Sequence, residues 1–219
     1  GGKFGGDGYK ISGGLHGVGL SCVNALSKWL EVKIYQNGKI HEQLYRRGIP
    51  QFDLKVTGDT GKTGTTITFM PDDEIFETVE FDYLEIKTRF REIAFLNKGL
   101  TISIEDRRKE ETKKEVFHYE GGIVQFVDYL NRGKETILPE PIYVNVVNKN
   151  NEVEIAFQYN EGYNEIINTY ANNINTEEGG THLIGFRNAL TKIINDYGKI
   201  NKILKDSERL AGEDVREGI

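Results

Sequence analysis

A chain of 219 residues, 37% of them hydrophobic, can bury a core as one large or two small domains. Its 28 basic and 34 acidic side chains leave a net charge of −6, which excludes wholesale coating of nucleic acid and confines any DNA contact to local patches. No apolar run approaches a membrane span of about 18 residues and no signal peptide opens the chain, so the sequence predicts a cytoplasmic protein with no membrane partner.

Five glycines between Gly1 and Gly8, with no initial methionine, suit a lid at an artificial or cleaved start, and the chain reads as a fragment. Next, Gly14, Gly17 and Gly19 stand in the order G-x-x-G-x-G and run into Leu20–Leu26, where Leu20, Val23 and Leu26 recur at helical spacing. This is a glycine-rich loop opening a helix, where unobstructed backbone N–H groups and the helix N-terminus attract phosphate. The glycine pattern alone also fits a plain turn before a core helix. A dinucleotide fingerprint has the reverse glycine order, and Glu31 falls at the start of the next strand, too early for its acidic partner. The single cysteine, Cys22, cannot form an internal disulfide and is expected as a small buried residue of the first helix.

Leu30 to Tyr35 alternates like a half-buried strand, turns at Asn37-Gly38 and returns through Ile40 to Tyr45. Gly58-Asp59-Thr60-Gly61-Lys62-Thr63 lacks the glycine spacing of a P-loop and predicts a turn. Thr65 to Phe69 is strand-like and ends at Pro71; Phe81, Leu84, Phe90, Ile93 and Phe95 then mark a longer, mostly helical segment. A strand from Leu100 to Glu105 and a return near Val116 to Tyr119 make a second hairpin, followed by a short helix over Ile123 to Leu130. Composition changes at Asn131–Glu135, before Pro139 and Pro141, and a domain boundary is expected there, dividing residues 1–137 from 138–219. Beyond it, Ile142–Val147 and Val153–Tyr159 predict a hairpin across 148–151, Ile166–Ile174 a third strand, and Leu183–Tyr197 an amphipathic helix with Phe186, Leu190, Ile193 and Ile194 inward. Strands followed by a helix indicate an α+β fold.

Two basic stretches, Lys87, Arg89 and Arg91, then Arg107, Arg108, Lys109, Lys113 and Lys114, are interleaved with Glu85, Glu92, Glu110, Glu111 and Glu115, and read as solvated faces. His41, His118 and His182 are scattered without metal-ligand spacing, so no metal site is expected within the chain. His182, after Gly179-Gly180-Thr181, is expected to cap a helix or make a structural hydrogen bond.

Several blocks in fixed order carry a family resemblance: Gly1-Gly2-Lys3-Phe4, Tyr9-Lys10, Ser12-Gly13-Gly14-Leu15-His16-Gly17-Val18-Gly19, Val23-Asn24-Ala25-Leu26-Ser27, Lys62-Thr63-Gly64-Thr65, Phe117-His118-Tyr119-Glu120-Gly121-Gly122, Asn172-Asn173-Ile174-Asn175, Gly179-Gly180-Thr181-His182 and Gly212-Glu213-Asp214-Val215-Arg216-Glu217-Gly218. Together they resemble the B subunit family of DNA gyrase, from the ATP lid onward, over essentially the whole chain. The topoisomerase IV B subunit is the closest competitor. A nucleotide-gated clamp or chaperone module of the same GHKL superfamily, without DNA chemistry, shares the glycine lid but not the later blocks.

The resemblance implies the C-terminal part of a two-layer GHKL ATPase sandwich in residues 1–137. An incomplete transducer domain, like the second domain of ribosomal protein S5, would follow in 138–219. Backbone amides from Gly14 through Leu15, His16, Gly17 and Val18 to Gly19 would wrap the phosphates of ATP, with Lys3 supplying charge, Tyr9 reaching from the lid and Thr65 bonding adenine. The glutamate base, the asparagine that holds Mg²⁺ and the aspartate that reads adenine would precede this segment, and the Gln-Thr-Lys loop would follow Ile219. The chain by itself is therefore expected to be catalytically silent. Arg187 would face a DNA cavity. The implied partners are the gyrase A subunit in an A2B2 heterotetramer, DNA, and a second B subunit on ATP binding; the activity is an ATP-dependent type II topoisomerase.

Overall fold

The structure, a computed structural model, describes residues 13, 17–149 and 151–219. The chain divides into two compact units, Gly1–Asp82 and Tyr83–Ile219, each an α+β arrangement of antiparallel strands and helices.

In the first unit, helix α1 (Gly19–Ala25) leads into strand β1 (Ser27–Gln36), which pairs with β2 (Lys39–Arg46) from Leu30↔Tyr45 to Gln36↔Lys39. Asn37 and Gly38 make the turn with φ of 53° and 74°, the left-handed pair that matches the twist of a two-residue hairpin. Strands β3 (Ile49–Pro50) and β4 (Lys55–Asp59) both line the outer edge of β2, and β5 (Gly64–Pro71) pairs with the other side of β1. The predicted turn at 58–63 is the β4–β5 connection, with Gly58 and Asp59 still in the strand; β4 itself is an addition to the elements expected from sequence.

Alternation gives this sheet two chemically different faces. Leu30, Val32 and Ile34 of β1 lie on the same face as their β5 partners Phe69, Ile67 and Thr65, because directly paired residues share a side. The opposite face carries Lys33 between Glu31 and Glu42, each at 3.4 Å. Below them the end of β5 is fixed to the loop after β2. Asp72, 1% exposed, is ion-paired with Arg47, whose Nη2 donates to its Oδ1 at 3.2 Å, while the Asp72 N–H donates to Leu26 O at 3.1 Å, tying β5 to the end of α1.

Cys22 corrects the expectation of a buried thiol: it is exposed, and α1 buries none of its residues. Among the described residues the helix is secured at its C-terminal end, through Leu26 O and the Ser27 hydroxyl on Val23 O (2.6 Å). A side chain one turn earlier therefore meets no packed layer among the described residues.

The second unit is built on α2 (Tyr83–Leu96), which lies over the hairpin β6 (Thr101–Asp106) and β7 (Lys113–His118) and beside α3 (Gly122–Leu130). Ala94, Ile104 and Phe117 form its buried core, ringed by Tyr83, Ile86, Phe90, Ile102 and Tyr119. Phe95, 1% exposed, stacks on Tyr119 at 3.6 Å and on Phe126 at 4.8 Å, locking α2 to α3. Of the residues that mark this segment in the sequence, Phe81 and Leu84 are exposed; Phe81 precedes the helix and meets Phe69 edge-on at 6.2 Å.

Strands β8 (Ile142–Asn148) and β9 (Asn151–Phe157) form the predicted hairpin. No third strand runs over 166–174. Instead Asn172 and Asn173, at φ 49° and 65°, make a tight turn between two-residue strands β10 (Tyr170–Ala171) and β11 (Ile174–Asn175), and asparagine tolerates that backbone region better than most residues. This small hairpin docks on α2 through Tyr170 OH to Glu92 and Asn173 Nδ2 to Asn97 Oδ1 (2.9 Å).

The 131–141 stretch, where composition predicts a boundary, lies inside the second unit. Asn131 Nδ2 donates to Gln158 Oε1 at 2.9 Å, Gln158 Nε2 to Leu138 O at 2.7 Å, and Ile137 N to Tyr159 O at 2.9 Å.

Helix α4 (Thr181–Ile200) and short α5 (Gly212–Arg216) follow. Ile193, expected on the inward face of α4, is 63% exposed. The buried positions there are Asn195 and Gly198, and Asn195 is satisfied by Leu210 on both its oxygen (2.8 Å) and its nitrogen (3.1 Å). No helix among the described residues is long and apolar enough to cross a membrane.

Candidate functional site

Of the nucleotide-contact residues expected from the sequence, Lys3, Tyr9, Gly14, Leu15 and His16 lie outside the described residues. Gly17, Val18, Gly19 and Thr65 lie within them. Gly17 has φ of 64°, a left-handed backbone that glycine adopts more readily than any residue with a Cβ, so the turn itself favours glycine here. Val18 is the N-cap of α1 and its carbonyl accepts from Cys22 N at 2.9 Å; no side chain caps the helix. Gly19 differs from Gly17: among the described residues a Cβ there would meet nothing within 4 Å, so none of them demands glycine at 19. Its missing side chain instead leaves open space at the start of the helix, beside N–H groups without intrahelical partners.

Thr65 stands opposite Ile34 on the apolar face of the sheet, in line with Ile67 on its own strand and near Val32 on the next. It is exposed, and among the described residues its hydroxyl makes no hydrogen bond. A flat apolar floor bordered by one available hydroxyl suits an aromatic heterocycle whose edge is polar. Among the described residues no hydrogen bond links Thr65 to the Gly17–Gly19 turn. No three histidine, cysteine or carboxylate side chains gather as a metal-binding group among the described residues.

The second constellation lies around Arg187 on α4. Its Nη2 and Nε donate to Glu165 Oε1 at 2.6 and 2.9 Å. Arg216, from α5, places its Nε 3.1 Å from the same oxygen, out of line for a well-aligned hydrogen bond. Burial raises the Glu165 pKa, but the two guanidinium groups outweigh it and hold the carboxyl below its ordinary value. Sequence reasoning singles out Arg187 but neither Glu165 nor Arg216, which sit 22 and 29 positions away, beyond any local pattern (187 − 165 and 216 − 187).

His182 makes a structural hydrogen bond, Nε2 to Thr176 Oγ1 at 3.1 Å, while Gly180 takes the N-cap position. His118 bridges Thr101 Oγ1 (3.0 Å) and Glu120 Oε1 (2.8 Å). Of the basic stretches read as solvated faces, Arg107 and Arg108 are exposed and pair with Glu105 and Asp106. Lys87 and Arg91 depart from that expectation: they are 24% and 21% exposed, Lys87 pairing with Glu115 and Arg91 lying over the Phe117 and Tyr129 rings, while Arg89 pairs with Glu92. Tyr170 and Asp106 are among the groups perturbed outside these sites. Burial, then the hydrogen bond to Glu92, raises the Tyr170 pKa, while the side-chain hydrogen bond from Arg108 leads in lowering that of Asp106.

Comparison with known proteins gives the same family from three directions. The DNA gyrase B family model matches residues 122–219. The DNA gyrase B subunit of Staphylococcus epidermidis is 57% identical over 221 aligned positions, spanning 100% of this chain and 34% of the relative. Its counterpart from Bacillus mycoides is 57% identical, again over 100% of this chain and 54% of the relative. The chain thus spans about a third to a half of the curated relatives it matches. The 43K ATPase domain of Thermus thermophilus gyrase B, crystallised with an aminocoumarin, superposes with a TM-score of 0.78 at 39% identity over 93% of this chain and 56% of that one. The DNA gyrase B-subunit of Myxococcus xanthus, 24% identical, shares the fold at TM-score 0.78, over 91% of this chain and 57% of that one. With its glycine turn, its α+β units and its similarity across all 219 residues in agreement, this chain belongs to the B subunit family of DNA gyrase.

Proposed function

We propose that this chain is the part of a gyrase B subunit that closes over ATP and relays its state to DNA strand passage, giving negative supercoiling in concert with the gyrase A subunit. Similarity to DNA gyrase B subunits over the whole chain carries the reading, and two features of the described residues support it: the space beside Gly19 at the start of α1 and a Thr65 hydroxyl that none of them bonds. In this reading the amides of Gly14 to Gly19 bind phosphate oxygens, Lys3 adds a cation, Tyr9 closes from the lid and Thr65 bonds adenine. ATP would bind against the apolar face of β1 and β5.

Residues 1–137 would belong to the ATPase domain and 138–219 to the transducer. Mg²⁺ would be held by groups outside these 219 residues, as would the glutamate that activates water. When bound, the metal would offset charge on the phosphates. ATP binding would bring a second B subunit into contact, and Arg187 would meet a phosphate of the DNA that passes between them, a contact that positions without reading sequence. The working location would be the cytoplasm. The relatives described above, similar over the whole chain, are gyrase subunits, which supports supercoiling over the decatenation of topoisomerase IV.

Isothermal titration of ATP tests the site in a Staphylococcus gyrase B subunit whose matching segment is replaced by this chain. Thr65→Ala and Lys3→Ala each weaken binding; unchanged affinity removes that residue from the site. The 219-residue chain alone releases no phosphate above background. Turnover comparable to an intact gyrase B subunit would place the base among these residues, with Glu31 and Glu42 the first to examine.

A further inference from the structure

We propose that Glu165 is a positioning residue for Arg187: it holds the guanidinium ready on α4 and competes with a DNA phosphate for it. The proposal rests on the reading that Arg187 meets DNA, and adds the device that regulates that contact.

Glu165 sits in a segment bonded on both sides to the end of the chain. Asn160 donates through N and Nδ2 to Gly218 O, both at 2.8 Å, and Ile166 N donates to Ile219 O at 2.9 Å. The carboxylate is thereby fixed between α4 and α5. Both guanidiniums converge on its Oε1, so two positive charges share one negative and the cluster carries a local charge of about +1.

The two cations are not equivalent. Arg216 keeps 12% of its side chain exposed, and it runs beside Gly212 and Thr191, whose hydroxyl bonds back to Arg187 O at 2.8 Å. Arg187 is 40% exposed. Removing Arg216 from the carboxylate would leave a largely covered cation unpaired, which is costlier than releasing the more exposed Arg187 into water. An arriving anion therefore draws Arg187, while Arg216 retains Glu165. One phosphodiester then balances the cluster at two positive and two negative charges. That charge match names the ligand class: a single phosphate of a polymer backbone, independent of sequence.

Fluorescence anisotropy of a short labelled DNA duplex with the 219-residue chain, across a series of potassium chloride concentrations, tests this. Glu165→Gln is expected to tighten binding about threefold, the range of an exposed ion pair removed. The slope of log affinity on log salt steepens toward about 0.9 more, the share of one further phosphate. Arg187→Gln weakens binding, and in that background Glu165→Gln no longer tightens it. If Arg187→Gln weakens binding but Glu165→Gln leaves affinity and slope unchanged or reduced, the role of Glu165 is overturned and the Arg187 contact stands. If Arg187→Gln changes nothing, the contact itself falls and takes the proposal with it.

A structural staple would instead lower the thermal midpoint of Glu165→Gln without moving the salt slope. Should that variant not fold, arginine side-chain NMR of the unaltered chain decides. The Nε–H signal of Arg187 moves on adding the duplex and that of Arg216 stays. A still Arg187 signal, or equal movement of both, overturns the proposal.

Discussion

Gly218→Ala should be among the most damaging single-methyl substitutions in the chain, although position 218 is near its end. Gly218 has φ of +77°, where an alanine is strained by about 1–2 kcal/mol. An added Cβ would also overlap the backbone oxygen of Asn160 and approach that of Gly162 to 2.8 Å, and neither is the end of a movable side chain. Relief requires the 158–162 segment to draw back, which breaks the two bonds from Asn160 to Gly218 O. Each is worth about 1 kcal/mol, and the Asn160 amide, in a residue only 8% exposed, loses more when left unpaired. The sum is a loss of about 3–5 kcal/mol. With a urea slope of about 3 kcal/mol per M, the midpoint falls by about 1–2 M.

Two controls separate the contributions. Gly133→Ala, at φ +80° with open space around it, carries the backbone strain alone and loses about 1 kcal/mol. Gly212→Ala meets the far end of the Arg216 side chain at 2.7 Å, which can move, and stays within about 1 kcal/mol of the unaltered chain. Urea unfolding followed by circular dichroism ranks the three. A Gly218→Ala midpoint equal to that of Gly133→Ala would refute the close backbone packing from which this loss is derived.

Gly19→Val leaves the stability of the 219-residue chain within about 1 kcal/mol, because a Cβ there meets open space, yet removes ATP binding from a gyrase B subunit that carries it. Normal titration with ATP in that folded variant would overturn the phosphate-loop assignment. Tyr170 gives an alkaline signature. Its folded pKa lies above the unfolded value of about 10, so its stabilisation is complete below pH 10 and disappears as pH rises toward the folded value. Thermal melts from pH 8 to 11 should show Tyr170→Phe losing less stability than the unaltered chain over the upper part of that range; parallel curves would mean the tyrosine is not protected by burial and Glu92.

Local chemistry makes part of this fold legible in the sequence. The Asn37-Gly38 turn and the strands it joins follow from alternation and from residues that accept left-handed backbone, and the β8–β9 hairpin from its two apolar runs. Strand β4 is hidden because Lys55–Asp59 is an edge strand with one apolar residue of any size, Val56, itself exposed. Asn172-Asn173 carries a visible turn signal, but the apolar run around it suggests a continuous strand. On α4, hydrophobicity places Ile193 inward, whereas the packed positions are Asn195 and Gly198, one suited by its bonds to Leu210 and the other by its size. The site divides the same way. Gly17, Gly19 and Thr65 announce themselves through spacing and a shared motif. Glu165, Arg216, Asp72 and Tyr170 acquire their roles from partners distant in sequence, which no single-chain pattern displays.

The most direct measurement is ATP-dependent supercoiling by a chimera. The matching segment of the Staphylococcus epidermidis gyrase B subunit, 57% identical, is replaced by these 219 residues and the chimera assayed with its A subunit on relaxed circular DNA. Negative supercoiling that needs ATP and disappears with Gly19→Val is expected. A chimera that folds, assembles with the A subunit and leaves the DNA relaxed would contradict it.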